Sequence, residues 1–274
     1  MINRTLDTLG RWLVFAILIG TFVFLVGPIL VSVVMSLDAR SYLGPFPPPE
    51  FSIQWYERFF SDDYYLLGLQ TSVILAVTAA AISTVVGVSA AIALDRAEFP
   101  GKDALLAFFL APLIVPAVVL GFALLVFSSL VGIHDGFYRL LIGHVIITIP
   151  YTIRTTMAGL VGISHSLTEA AQSLGATERR AFWDVTFPLA RTGMVAGAVF
   201  ALALSMDDVA VSLFLTDPDA YTLPVAMVSM MRTNFDLTIA AGAVVMMAFT
   251  MGLVICLDRI LGIDRLIGQG LYRS

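Results

Sequence analysis

An all-α fold of six membrane-spanning helices is predicted by three features of this chain. Hydrophobic residues make up 59% of its 274 positions and charged residues 13%, where a soluble domain carries about 25% charged residues. Apolar runs long enough to cross a bilayer, which takes about 20 residues, recur six times. The cations are distributed unevenly between the connections. Arg4, Arg11, Arg96, Lys102, Arg179, Arg180, Arg191, Arg259, Arg265 and Arg273 fall on one side, and Arg40, Arg58 and Arg232 on the other. Arg139 and Arg154 lie in or beside the fourth run and are left out. Ten against three puts both termini in the cytoplasm under the positive-inside rule. The formal net charge of −5 decides little, because placement matters more than the sum. Lys102 is the single lysine, which excludes a basic nucleic-acid surface. Cys256, the single cysteine, can form no internal disulfide and is read as a small core residue.

The expected spans are about 12–35, 69–94, 104–131, 138–163, 192–216 and 237–257, within one transmembrane domain over 1–274. The first is too long for a signal-peptide core and is expected to be retained. Residues 37–68 form an external loop. Its SYLGPFPPPE stretch holds four of the twelve prolines and cannot be regular helix. Trp55, Tyr56, Phe59, Phe60, Tyr64 and Tyr65 then suit an aromatic belt at the outer interface, with a partner contact surface as the alternative.

The second span is rich in Ala, Ser, Thr and Gly, which predicts close helix packing. The third contains Pro112 and Pro116, which break the backbone ladder. The fourth contains His144, Pro150 and Arg154. Nothing titratable lies three or four positions from His144, so it reads as a core histidine, with a path residue as the alternative. Arg154 is placed to snorkel toward the inner interface. Between the fifth and sixth spans, residues 223–231 read as a short amphipathic external helix.

The segment 165–189, HSLTEAAQSLGATERRAFWDVTFPL, is the longest polar, helix-forming stretch between apolar runs. Ser166 and Glu169 form an S-x-x-E capping box, so a helix is expected to start there. Gly175 stands at the C′ position that ends it. Thr177 caps a second helix, with Glu178 at its positive end and Pro188 closing it.

Glu169-Ala170-Ala171, Gly175, Val185 and Phe187-Pro188 resemble the signature of permease subunits of bacterial ABC importers. That signature reads EAA, three residues, Gly, nine residues, Ile, one residue, Leu-Pro. Val185 stands for Ile and Phe187 for Leu, so spacing and residue type hold across 20 positions. The resemblance implies a type I importer fold in a bacterial inner membrane. In that family this loop is the coupling helix that docks into a groove of the cytoplasmic ATPase. It implies as partners two copies of an ATP-binding subunit, a second permease subunit and an extracytoplasmic substrate-binding protein. ATP and magnesium would be held by the ATPase, leaving no cofactor in this chain.

Residues 204–214, LSMDDVAVSLF, resemble a span of the second permease subunit of spermidine/putrescine importers. The resemblance extends to PLIVPAVVLG in the third span and to Thr222-Leu223-Pro224. It implies a polyamine or related cationic amine as substrate. Related importers carry opines, amino-acid derivatives or aminophosphonates, and the sequence does not separate these.

Enzyme chemistry finds no support. There is no G-x-x-x-x-G-K-[ST], H-E-x-x-H, C-x-x-C or G-x-S-x-G. An ATP-independent channel or secondary transporter would need no coupling loop. A purely structural membrane subunit would tolerate replacement of the fifth-span aspartates. Carboxylates within a span are usually functional. Asp208, Asp207, Ser205 and Ser212 are the substrate path candidates; on one continuous helix Asp208 shares a polar stripe with Ser205, Ser212 and Thr216, which makes it the leading one. Asp207 shares a packing face with Ala203, Ala210 and Val211.

Overall fold

The structure is a computed structural model that describes residues 2–42, 44–161 and 163–261. Arg265 and Arg273 lie outside them. The helices run in the order α1 (Ile2–Met35), α2 (Gln54–Ser61), α3 (Asp63–Arg96), α4 (Lys102–Leu110), α5 (Ala117–Leu130) and α6 (Gly136–Leu160). Then follow α7 (His165–Ser173), α8 (Glu178–Ala181), α9 (Phe187–Asp207), α10 (Ser212–Leu215), α11 (Leu223–Thr233) and α12 (Thr238–Leu261). Among the described residues there is no strand, only isolated bridges between Asp38 and Phe51 and between Asp217 and Ala220. Among the described residues five helices are long and apolar enough to cross a membrane, or six segments if one bent pair is counted as a single span.

The bent pair occupies the residues expected as the third span. The segment Lys102–Leu113 meets Ala117–Leu130 at 103°. Pro112 and Pro116 each lack the amide that would continue the ladder, so the expected 104–131 run becomes two helices rather than one. The second span is longer than expected. Its helix α3 begins at Asp63, so the non-helical connection ends earlier than the expected loop of 37–68.

The contacts divide the chain into two compact units: residues 1–63 with 229–247, and 64–228 with 248–274. In the first unit Met35, Trp55, Leu237 and Ala241 form a core. Trp55 Nε1 donates to the Asp38 carbonyl at 2.7 Å, and Arg58 pairs with Asp236 at 2.9 Å. Trp55 and Phe59 in this unit, like Tyr65 in the other, are buried. They are packing residues rather than a lipid-facing belt, because α2 turns its apolar face into the protein.

In the second unit Leu75, Leu140, Ile147, Val211, Leu215 and Ala220 form a core that joins α3, α6 and α10. Gly159 of α6 lies against Gly193 of α9. A methyl group on Gly193 would lie 2.9 Å from the Gly159 Cα. Small residues on both helices allow backbones to touch, which is how membrane helices gain dispersion contacts.

Two corrections concern the fifth span. It was expected over 192–216, after a helix closed by Pro188. Instead helical structure runs without interruption from Glu178 to Asp207. A π turn at Phe182–Thr186 precedes α9, and the Phe187 amide donates to the Phe182 carbonyl. The wider turn accommodates Pro188, which has no amide to continue the ladder within this stretch. At the other end the helix stops at Asp207, and α10 is a separate short helix.

Candidate functional site

Two places gather the residues singled out in the sequence. The first is the loop around α7. Ser164, not Ser166, is its N-cap, with its hydroxyl accepting from the Ser166 amide at 3.3 Å. The expected start at Ser166 is therefore shifted two residues, since Ser164 has the extended backbone that a cap requires. At the other end the Gly175 amide donates to the Gln172 carbonyl at 2.9 Å and the Ala176 amide to the Ala171 carbonyl at 3.0 Å. This pair of bonds is the Schellman motif, and it needs the φ of +91° that Gly175 adopts. Thr177 Oγ1 accepts from the Arg180 amide at 3.3 Å and caps the following helix.

A pocket of about 160 Å³ lies behind this loop, lined in part by Asp95, Arg96, Glu169, Gln172, Glu178 and Thr186. Glu169 and Ala170 are exposed, Ala171 is half-buried, and Gly175 and Pro188 are exposed. Leu174 is 90% exposed at the tip of the turn. The sequence reading missed Arg96, Thr186 and Leu174. Arg96 is brought to the loop from the end of α3, and nothing in its own neighbourhood signals that it meets Thr186.

The second place is the end of α9. Asp208 has φ −68° and ψ 127°, an extended conformation that ends the helix. Its Oδ2 accepts from the Val211 amide at 3.2 Å, the Ser212 amide at 2.8 Å and the Ser212 hydroxyl at 2.9 Å. Aspartate side chains compete in this way with the helical ladder, which is the local reason for the break. The continuous stripe joining Ser205, Asp208, Ser212 and Thr216 therefore does not exist. Asp208 turns inward as a cap, while Asp207, expected to pack inside, is exposed.

Ser205 and Ser212 nevertheless meet, through a third residue. His144 Nδ1 lies 2.7 Å from Ser205 Oγ, and Nε2 lies 2.8 Å from Ser212 Oγ. His144 and Ser212 are fully buried and Ser205 is 1% exposed. His144 Nε2 lies 3.9 Å from Asp208 Oδ2. His144 is thus a satisfied buried histidine whose partners come from the fifth span, 61 and 68 residues away. Spacing along its own helix could not reveal them. Among the described residues no cluster of His, Cys, Asp or Glu could hold a metal ion.

Residues 83–263 match the family described as binding-protein-dependent transport system inner membrane component. The chain is 31% identical over 247 residues to the spermidine/putrescine transport system permease protein PotC of Escherichia coli (strain K12), covering 90% of this chain and 93% of the relative. It is 28% identical over 232 residues to the putrescine transport system permease protein PotI of the same strain, covering 82% of each. In backbone it is similar to a chain of a bacterial alginate ABC transporter solved in complex with an alginate pentasaccharide-bound periplasmic protein. The TM-score is 0.71 over 93% of this chain and 95% of that one, at 14% identity, a likeness of fold alone.

Proposed function

The chain belongs to the family of binding-protein-dependent transport system inner membrane components. It is a permease subunit of an ABC importer, and we propose that the importer carries a polyamine such as spermidine or putrescine. The observation that carries this reading is the likeness to a spermidine/putrescine permease along 90% of the chain. The exposed carboxylate of Asp207 agrees with it, since a multiply cationic amine crossing the membrane needs anionic groups along its route. In this reading Asp207 meets the substrate. Asp208, Ser205 and Ser212 shape the break that presents it.

The α7 loop is the docking element for a cytoplasmic ATPase, with Glu169, Ala170, Ala171, Gly175 and Pro188 as its framework and Leu174 as its apolar tip. Two ATPase copies, a second permease subunit and an external substrate-binding protein complete the transporter. The bias of arginine and lysine toward one side of the spans supports a cytoplasmic position for this loop and for both termini. ATP is hydrolysed by the partner, and this chain performs no bond chemistry.

Reconstitution tests the reading. The assembled transporter in liposomes, with its binding protein outside and ATP inside, is expected to accumulate radiolabelled spermidine or putrescine. Accumulation of an anionic amino-acid derivative or aminophosphonate, with no polyamine uptake, would replace this substrate class by that one.

A further inference from the structure

Hydrogen bonds span the break in the fifth span, and their directions follow from donor and acceptor counting. Asp208 Oδ2 accepts two backbone amides and the Ser212 hydroxyl proton. Ser212 has only that one proton, so toward His144 Nε2, 2.8 Å away, its oxygen accepts and Nε2 carries the hydrogen. In the neutral ring Nδ1 then accepts from the Ser205 hydroxyl at 2.7 Å. One imidazole, held on α6, thereby joins the last turn of α9 to the first residue of α10.

We propose that His144 is a positioning residue for transport. It holds the two sides of the break so that Asp208 points inward as the cap and Asp207 stays exposed. The proposal rests on the reading of Asp207 as the carboxylate that meets the substrate. A buried group that only filled space would be better apolar, because each buried polar atom must find a partner. Here both ring nitrogens find partners, one on each side of the break, and no other arrangement of the Ser212 proton satisfies Asp208 as well.

The test uses the assembled transporter in lipid nanodiscs, with cysteine-free partners, Cys256→Ser and Asp207→Cys. The measurement is the rate of modification by a charged, water-soluble maleimide. It is made with His144 present and with His144→Gln, His144→Asn and His144→Leu. Glutamine puts its amide where Nε2 lies and keeps the donor to Ser212. Asparagine keeps only the acceptor for Ser205, and leucine keeps neither. Glutamine, asparagine and leucine each lose at least one of the two bonds of the bridge and are expected to change the rate about tenfold, the effect of losing one buried hydrogen bond. Equal rates in all four proteins, or either glutamine or asparagine reacting as the parent does, overturn the proposal. If the leucine variant does not accumulate, the glutamine and asparagine variants decide alone. These rates need no substrate, so a transporter that takes up no spermidine overturns the polyamine reading and leaves the His144 result standing on its own.

Discussion

The Arg96 guanidinium donates to the Thr186 hydroxyl at 2.8 Å and stands over the Phe182 ring, 5.2 Å from its centroid. The bond ties the end of α3 to the π turn through which the α7 loop enters the fifth span. It also forms one wall of the pocket behind Glu169.

Removing that tie should loosen the loop from the bundle. Arg96→Ala is expected to lose about 1 kcal/mol at this half-buried position, about fivefold in the population of the docked loop. Arg96→Lys keeps the charge but not the planar fork, and should fall between. The readout is substrate imported per ATP hydrolysed by the reconstituted complex. An unchanged ratio in Arg96→Ala would remove the tie from the coupling argument.

Gly175 separates backbone conformation from crowding. Its φ is +91°, and a methyl group there would meet nothing within 4 Å. The penalty for replacement is therefore conformational, about 1–2 kcal/mol for an ordinary residue. Asparagine tolerates this region better than a β-branched residue does. Gly175→Asn should retain most ATPase co-purification and transport, and Gly175→Val should lose both. Equal behaviour of the two would show that the turn does not matter to docking.

Gly193 presents the opposite case. A Cβ there would collide with the Thr155 carbonyl oxygen and the Gly159 Cα, all backbone atoms that cannot swing aside. Gly193→Ala is expected to separate α6 from α9 and destabilise by about 1–3 kcal/mol. Gly252→Ala, on α12 with nothing within 4 Å, should be neutral or slightly stabilising. Thermal unfolding of the purified complex in detergent compares them. A Gly193→Ala protein as stable as the parent would contradict the close crossing.

The two neighbouring aspartates should behave differently. Asp207→Asn removes an exposed charge and is expected to reduce polyamine uptake about tenfold with assembly intact, in line with the loss of one charge interaction in a partly desolvated path. Asp208→Ala leaves two amides and a hydroxyl without their acceptor. It should lower the yield of assembled complex, and Asp208→Asn, which still offers an acceptor oxygen, should restore it in part. Uptake and subunit stoichiometry measured together distinguish these outcomes. Normal uptake by Asp207→Asn would remove that carboxylate from the path.

In the loop after α1, hydrogen bonds from Arg40 hold the Asp38 carboxyl below its ordinary value of 3.8, against the opposing effect of burial. A folded value below the unfolded one stabilises the ionised form. The stabilisation is present above the unfolded value and is lost as pH falls through the folded one. The loop should therefore keep its structure below pH 4. Arg40→Leu should move its acid transition upward. Trp55 fluorescence reports it in a background without Trp12 and Trp183, because the indole donates to the Asp38 carbonyl. An acid transition that does not move would show that Arg40 does not set the Asp38 titration.

Much of this protein was legible in the sequence because the deciding physics is local or periodic. Long apolar runs must become helices in a bilayer, since unpaired backbone groups have no water there. Gly175 and Thr177 carry their roles in their own residue types, and the Schellman turn and the cap both form. Pro112 and Pro116 announced a break, although the bend of 103° depends on what the two halves pack against. Tertiary structure alone decided the rest. Whether Asp208 continues a helix or caps the next one depends on the competition between ladder amides and the amides of Val211 and Ser212. His144 became a bridge because α6 packs against both α9 and α10, which brings Ser205 and Ser212 to its two nitrogens, and residues 61 and 68 positions apart are joined by packing, which no periodicity along one helix records.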